Sequence, residues 1–344
     1  MPLTTGLTLG KFSPLHKGHQ FMIETALRET DEVVVVIYDS PDVTNVPLPV
    51  RAGWIRTLYP QVEVIEAWGG PEETGYTREI EKAHEDYIAS LLGGRRITHF
   101  YSSEPYGEHM SRALGAVDRR VDPDRKTFPV SGTAVRQAPF ESRAFVDPVA
   151  YRDLVSSVLL LGAPSTGKST LAARLAEELG TVWMPEYGRE YWDAHQVDRR
   201  LTPEQLVEIA EGHLEREERM LGDANRYLFV DTNALTTRMF AQYYHGFVLP
   251  RLEELAVKAA VRHDLVFVCG DEIPYDDTWD RSGFGMRDLF QRKILADLAV
   301  RRIPYVTLTG TVEERVRQAK AVLERHEKYR SLPDRLAREL GVLS

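Results

Sequence analysis

Gly162-Ala163-Pro164-Ser165-Thr166-Gly167-Lys168-Ser169-Thr170 follows the apolar run VLLL at Val158–Leu161 and leads into LAARLAEELG, whose apolar residues recur at helical spacing. The pattern Gly162-x4-Gly167-Lys168-Ser169 thus lies between a buried strand and an amphipathic helix, the context in which a glycine-rich loop cradles phosphates. The glycines let backbone N–H groups converge on an anion, Lys168 reaches the β and γ oxygens, and the Ser169 hydroxyl can coordinate Mg²⁺. A glycine-rich turn that merely starts a helix is the competing reading, and the agreement of motif with context speaks against it. The stretch Gly162–Thr170 is therefore expected to be a P-loop that binds ATP.

Outward from this loop, strand-length apolar runs alternate with helical periodicity, which predicts α/β architecture with mainly parallel sheets. The alternation happens twice. Strands are expected near Leu7–Leu9, Glu32–Tyr38, Val62–Glu66 and His99–Ser102, then again near Ser157–Leu161, Thr181–Met184, Tyr227–Val230, Leu265–Cys269 and Tyr305–Leu308. Two domains follow, 1–150 and 151–344, with the boundary in Phe145–Asp153 and an irregular return, QAPFESRAFVDPVA, before it. The charged tail EERVRQAKAVLERHEKY reads as a solvated amphipathic helix.

Phosphoryl transfer asks a protein for a carboxylate on the metal side, a carboxylate for the acceptor and cations over the phosphates. Asp231 ends the run YLFVD, at the carboxyl end of a strand where α/β ligands bind, and is the expected metal-side group with Ser169. Glu186, after TVWMP, has two readings: a group that orients or deprotonates an acceptor hydroxyl, with Arg189 beside it, or a helix-start acid favoured by the macrodipole. The polar segment Asp271–Arg292 carries Arg281, Arg287 and Arg292, and reads either as a lid closing over phosphates or as a solvated loop. Thr309, Gly310 and Thr311 follow the last strand and resemble the turn that lines adenine in small P-loop kinases.

The first strand runs into Gly10-Lys11-Phe12-Ser13-Pro14-Leu15-His16-Lys17-Gly18-His19. Two histidines three residues apart at a helix start can aim imidazole N–H donors at triphosphate oxygens, while Gly18 allows close approach. A metal half-site or a surface turn is the alternative. Farther on, Val130-Ser131-Gly132-Thr133-Ala134-Val135-Arg136 offers two hydroxyls and a cation at a helix N-terminus, which by itself is equally an ordinary capped helix. Together the two stretches resemble the HxGH and ISxTxxR signatures of the HIGH-superfamily nucleotidyltransferases, a Rossmann-like fold. That resemblance implies an ATP site of Gly10, Phe12, Gly18, Ser131 and Thr133. His16, His19, Lys11 and Arg136 would stabilise charge on the α-phosphate and leaving pyrophosphate, with Mg²⁺ sharing the work.

The ordered set GKFSPLHKGH, SSEP at Ser102–Pro105, VDPDR at Val121–Arg125, VSGTAVRQAPF and the following P-loop resembles, over almost the whole chain, the NadR-type bifunctional enzymes. These join a nicotinamide-nucleotide adenylyltransferase to a ribosylnicotinamide kinase. The resemblance implies a C-terminal half that phosphorylates nicotinamide riboside to nicotinamide mononucleotide (NMN), and an N-terminal half that adenylylates NMN with ATP to NAD. Arg51 and Trp54 match a basic-x-x-Trp stretch of the family's first domain and would border its nucleotide site; a buried core tryptophan is the other reading of Trp54. Some family members begin with a helix-turn-helix domain. Here the first strand is expected within the first ten residues, so no such domain and no repressor role are expected.

Composition agrees with a globular protein: 344 residues, 43% hydrophobic and 28% charged. A net charge of −9 gives no global attraction to nucleic acid or to an anionic membrane, so neither is an expected partner. Cys269, the one cysteine, lies in the apolar run LVFVC and reads as a buried strand residue, which suits a reducing cytoplasm. No apolar run approaches the roughly 20 residues that span a bilayer. The alternatives are the same two folds acting on another nucleoside and another phosphate acceptor, or a nucleotide sensor that binds without turnover. Nothing in the sequence fixes an oligomeric state.

Overall fold

In the computed structural model the chain is described over residues 2–330 except 72, 74, 76, 198, 199 and 274–283, and at 284–286 for backbone alone. It divides into two compact units, one reaching Tyr151 and the other spanning Arg152–Lys328. Tyr329 and Arg330 group with the first unit, where Arg330 donates to Asn45 Oδ1 at 2.7 Å. The expected second domain, drawn to residue 344, differs at these two residues, which sit with the first unit.

The first unit runs β1 (Thr5–Gly10), α1 (Lys17–Glu29), β2 (Glu32–Tyr38), α2 (Leu48–Leu58), β3 (Glu63–Ala67), α3 (Arg78–Leu92), β4 (His99–Ser102), α4 (Gly107–Leu114), β5 (Val117–Arg120) and α5 (Gly132–Gln137). Helix α6 (Pro148–Leu154) straddles the division. The sheet order is β3-β2-β1-β4-β5, with every neighbouring pair parallel. Inner strands such as EVVVVIY are buried over nearly their whole length, as expected for a sheet covered on both faces. Strand β5, VDRR, was not expected: it is a short edge strand with exposed charges, and an edge needs no apolar run.

The second unit runs β6 (Ser156–Leu161), α7 (Lys168–Leu179), β7 (Val182–Met184), α8 (Tyr187–His195), α9 (Pro203–Leu221), β8 (Tyr227–Asp231), α10 (Ala234–His245), α11 (Pro250–Ala260), β9 (Leu265–Cys269), α12 (Phe284–Arg301), β10 (Val306–Leu308) and α13 (Val312–Arg325). Its sheet, also parallel throughout, has the order β10-β9-β6-β8-β7. Helix α13 corrects the reading of the charged tail. Val316, Ala319 and Leu323 join the core formed by β6, α7 and β9, so one face of this helix is packed rather than solvated. Cys269 is buried, and no helix among the described residues is long and apolar enough to cross a membrane.

Candidate active sites

In the first unit the chain order reverses between β1 and β4, which opens a crevice at their carboxyl ends. The Gly10–His19 segment enters that crevice from β1, with Ser13–Pro14 cis. His16 caps α1, and its Nδ1 accepts from the His19 N–H at 3.4 Å. The two imidazoles stack with centroids 3.6 Å apart, and the Phe12 ring lies 4.8 Å from that of His19. Gly18 serves this stack directly: a Cβ there would stand 3.1 Å from His16 Cε1. Its small size makes room for an imidazole, in addition to any approach by a ligand. Phe12 is itself fully buried, so its ring braces His19 and leaves ligand contact to its backbone.

Both histidines are neutral at pH 7. Burial, reinforced by the positive charges of Arg125 and Arg136, pushes His16 down to about 4. Burial and the neighbouring His16 push His19 well below its ordinary value. His16 Nε2 and His19 Nδ1 are buried with no hydrogen-bond partner among the described residues. Orphaned polar atoms of this kind are costly unless a ligand satisfies them.

The second stretch closes the same crevice. Ser131 caps α5, accepting from Ala134 N–H at 3.1 Å, so the capped-helix reading is realised in the structure. Arg136 donates to Thr133 Oγ1 at 3.0 Å and reaches back to the Ser13 carbonyl at 3.4 Å. Lys11 is half-buried beside it; burial lowers its ammonium, and Asp42 opposes that shift. The irregular return is pinned to the same loop, since Gln20 donates to Asp147 at 2.9 Å and Val146 bridges His16.

Three further residues of the first unit were not singled out from the sequence. Arg125 acts electrostatically on His16 and pairs with Glu104 of the SSEP stretch at 3.4 Å. Asp122 organises the VDPDR turn by accepting the backbone N–H groups of Lys126, Thr127 and Phe128. Trp68, past the carboxyl end of β3, is 55% exposed, while Tyr87 anchors its carbonyl at 2.8 Å. Trp68 follows the outer strand of the sheet, and no motif in the sequence marks it.

Arg51 departs from expectation. Its guanidinium is fully buried and donates to the carbonyls of Val46, Lys11, Tyr38 and Asp39, so it fastens the loops after β1 and β2 together rather than facing a nucleotide. Trp54 is fully buried as well, in agreement with the core reading.

In the second unit, Gly162 has φ of 144°, and a Cβ there would stand 2.9 Å from the Cys269 carbonyl. Thr166 Oγ1 donates to the Ala163 carbonyl at 2.8 Å and Lys168 Nζ to the same oxygen at 3.0 Å, which folds the loop upon itself. Gln291, from α12, accepts the Ala163 N–H at 2.8 Å and donates to the Cys269 carbonyl at 3.0 Å. Pro164 and Ser165 are half-buried at the rim, and Thr170 is exposed on the first turn of α7. Ser169 donates to Asp231 Oδ2, and the other oxygen, Oδ1, is buried without a partner among the described residues. Burial holds the Asp231 carboxyl above its usual range, against the pull of Lys168 and the Ser169 hydrogen bond.

Glu186 stands at the N-cap of α8, just past β7, and β7 neighbours the strand that carries Asp231. Arg189, on the exposed face of α8, contributes to the positive potential at Asp231. The expected lid cations separate. Arg287 is buried on α12 and donates to the Ser165 carbonyl at 3.2 Å, so it belongs to the wall of the P-loop. Arg292 points to solvent in an ion pair with Asp288 at 2.9 Å, the surface reading. Arg281 lies outside the described residues. Thr311 caps α13 through a capping box, while the Thr309 backbone is held by Gln318.

The chain matches two family models, a cytidylyltransferase-like model over residues 7–138 and an AAA domain model over residues 157–315. It is 28% identical over 294 residues to the trifunctional NAD biosynthesis/regulator protein NadR of Escherichia coli K12, covering 79% of this chain and 70% of that protein. The Salmonella typhimurium LT2 protein of the same description is 27% identical over 292 residues, covering 78% and 70%. Among solved structures, a NadR protein in complex with NAD and AMP-PNP superposes with a TM-score of 0.57 at 24% identity, covering 94% of this chain and 96% of the other. A NadR protein in complex with NR gives 0.56 at 24% identity, covering 94% and 95%. These two structures share the fold: two parallel-sheet α/β domains, nucleotidyltransferase-like and then P-loop kinase-like.

Proposed function

We propose that this chain, a homologue of the NadR proteins, carries out two consecutive steps of NAD biosynthesis. In this reading the second unit phosphorylates nicotinamide riboside with ATP to give NMN, and the first unit joins NMN to ATP to give NAD and pyrophosphate. The observation that carries it is the pairing of two separately built clusters of candidate phosphate-binding groups, each following the strands of its own parallel sheet. The first offers orphaned imidazole nitrogens and the second an orphaned carboxylate oxygen beside a P-loop. NAD, NR and AMP-PNP bound to NadR proteins support the ligand classes.

In the kinase site the loop N–H groups and Lys168 would hold the β- and γ-phosphates. The Ser169 hydroxyl and the free Oδ1 of Asp231 are hard oxygen donors at one place, which suits Mg²⁺. When bound, Mg²⁺ would neutralise part of the triphosphate's negative charge. Glu186 is assigned to the acceptor hydroxyl, accepting its proton as the oxygen attacks the γ-phosphorus and the bond to the bridging oxygen breaks to release ADP, and Arg189 to the growing negative charge.

In the adenylyltransferase site the NMN phosphate attacks the α-phosphorus of ATP in line, and no covalent enzyme intermediate is needed. His16 and His19, being neutral, donate N–H bonds without an ion-pairing partner to lose. Lys11, Arg125 and Arg136 supply the positive potential for the departing pyrophosphate. The exposed ring of Trp68 is assigned to the nicotinamide.

The assay is direct. Purified protein with nicotinamide riboside, ATP and Mg²⁺ should accumulate NMN and then NAD. Folded protein that leaves the riboside unphosphorylated overturns the kinase half, and NMN that stays unconverted overturns the other.

A further inference from the structure

Arg315 is 1% exposed, although its surroundings, EERVRQAK, read as a solvent-facing helix. Its Nη1 donates to the Thr166 carbonyl at 2.6 Å and its Nε to the Gly310 carbonyl at 3.0 Å. Its Nη2 donates to the Gly270 carbonyl at 3.0 Å and to Glu272 Oε1 at 2.7 Å. These partners lie on three different loops, following β6, β9 and β10. Glu272 closes the ring by accepting the Gly310 N–H at 2.6 Å.

The direction of one peptide follows. The cis bond among the described residues is Ser13–Pro14, so the Thr166–Gly167 peptide is trans. In a trans peptide the carbonyl and the next N–H point opposite ways. Arg315 holds the Thr166 carbonyl toward the buried side of the loop, and the Gly167 N–H is thereby turned toward the open side, where the phosphates would lie. Arg287 treats the preceding peptide alike: it holds the Ser165 carbonyl at 3.2 Å and so directs the Thr166 N–H.

We infer that Arg315 is a positioning residue of the kinase site, aiming a P-loop N–H at the bound phosphates and locking the Thr309–Thr311 turn to the same frame. The inference rests on the phosphoryl-transfer reading of the second unit and adds a group that touches neither substrate. A guanidinium suits the task because its planar fork can serve four acceptors at fixed angles, whereas an ammonium cannot.

The test uses the full chain with Arg315→Met and Arg315→Lys, and reads both activities. For Arg315→Met the KM for ATP in the kinase step should rise at least about tenfold, the loss expected for one charge-assisted hydrogen bond. The KM for nicotinamide riboside should stay within about twofold, and adenylyltransferase kinetics should not move. Arg315→Lys should recover part of the ATP affinity. An unchanged ATP KM in both variants overturns the inference, as does a parallel rise of both KM values, which is what general loosening of the second unit would give. Should Arg315→Met fail to fold, Arg315→Lys decides: wild-type ATP affinity refutes the inference and an intermediate value supports it. Calorimetric titration of Mg·ATP in a His19→Ala background, which weakens the first site, fitted with two classes of site, separates this outcome from failure of the kinase reading. A wild-type chain without riboside kinase activity should still lose about tenfold in ATP binding on Arg315→Met.

Discussion

The imidazoles of His16 and His19 stack 3.6 Å apart, and His16 Nε2 and His19 Nδ1 are buried without a hydrogen-bond partner among the described residues. Folded His16 titrates near 4 instead of its ordinary 6.5, so between those values the unfolded chain binds a proton that the folded chain does not. Its contribution to stability is therefore present above about 6.5 and is lost as pH falls toward 4. His19, lowered by burial, acts with the same sign. Hydrogen exchange of β1 and α1 should show protection falling as pH drops through this window, after correction for intrinsic exchange. A His16→Gln, His19→Asn chain should show a flatter profile, and an identical slope would count against the assignment.

The two sites should fail independently. His19→Ala should lower adenylyl transfer by about a hundredfold or more while leaving riboside phosphorylation intact, and Lys168→Ala should do the reverse. Separate coupled assays for pyrophosphate and ADP read the two steps. Joint loss from either substitution would contradict two separate centres.

Asp231→Asn keeps the shape of the site and the partner for Ser169 but removes the charge available to a cation. Kinase kcat should fall about a hundredfold or more, with an increased requirement for Mg²⁺. The variant should be at least as stable as the parent, because a buried carboxylate that resists ionisation is replaced by a neutral amide. Retained kcat at low Mg²⁺ would remove Asp231 from the metal side.

Arg51→Met should be a stability variant. Four carbonyls lose their donor in the interior, which points to destabilisation of the first unit by about 3 kcal/mol, read by denaturant titration. Adenylyl transfer should weaken because the Lys11 backbone is one of the four anchors, whereas an intact unfolding midpoint would rule out the clamp.

Trp68→Ala tests the nicotinamide platform. The residue is 55% exposed, so loss of its ring should leave the melting temperature nearly unchanged. The KM for NMN should rise by about tenfold, the scale of one stacking contact, with the KM for ATP unaffected. Equal KM values for NMN in parent and variant would place the nicotinamide elsewhere.

The P-loop, the HxGH stretch and the alternation of strands with helices could be read from the chain because each is local. A glycine, a lysine and a preceding apolar run do their work within a few residues, and parallel inner strands must be apolar on both faces. These features set the fold class and mark the two candidate phosphate sites.

Edge strand β5 could not be read, because an edge makes no demand for apolar residues. Nor could the fate of individual arginines. Arg51, Arg287, Arg292 and Arg315 look alike in sequence, yet the structure puts one under the first site, two behind the P-loop and one in solvent. Arg315 reaches Thr166 across 149 residues of chain. A guanidinium becomes an organiser only when folding brings carbonyls from several loops to its fork, and the sequence alone does not say which carbonyls those are.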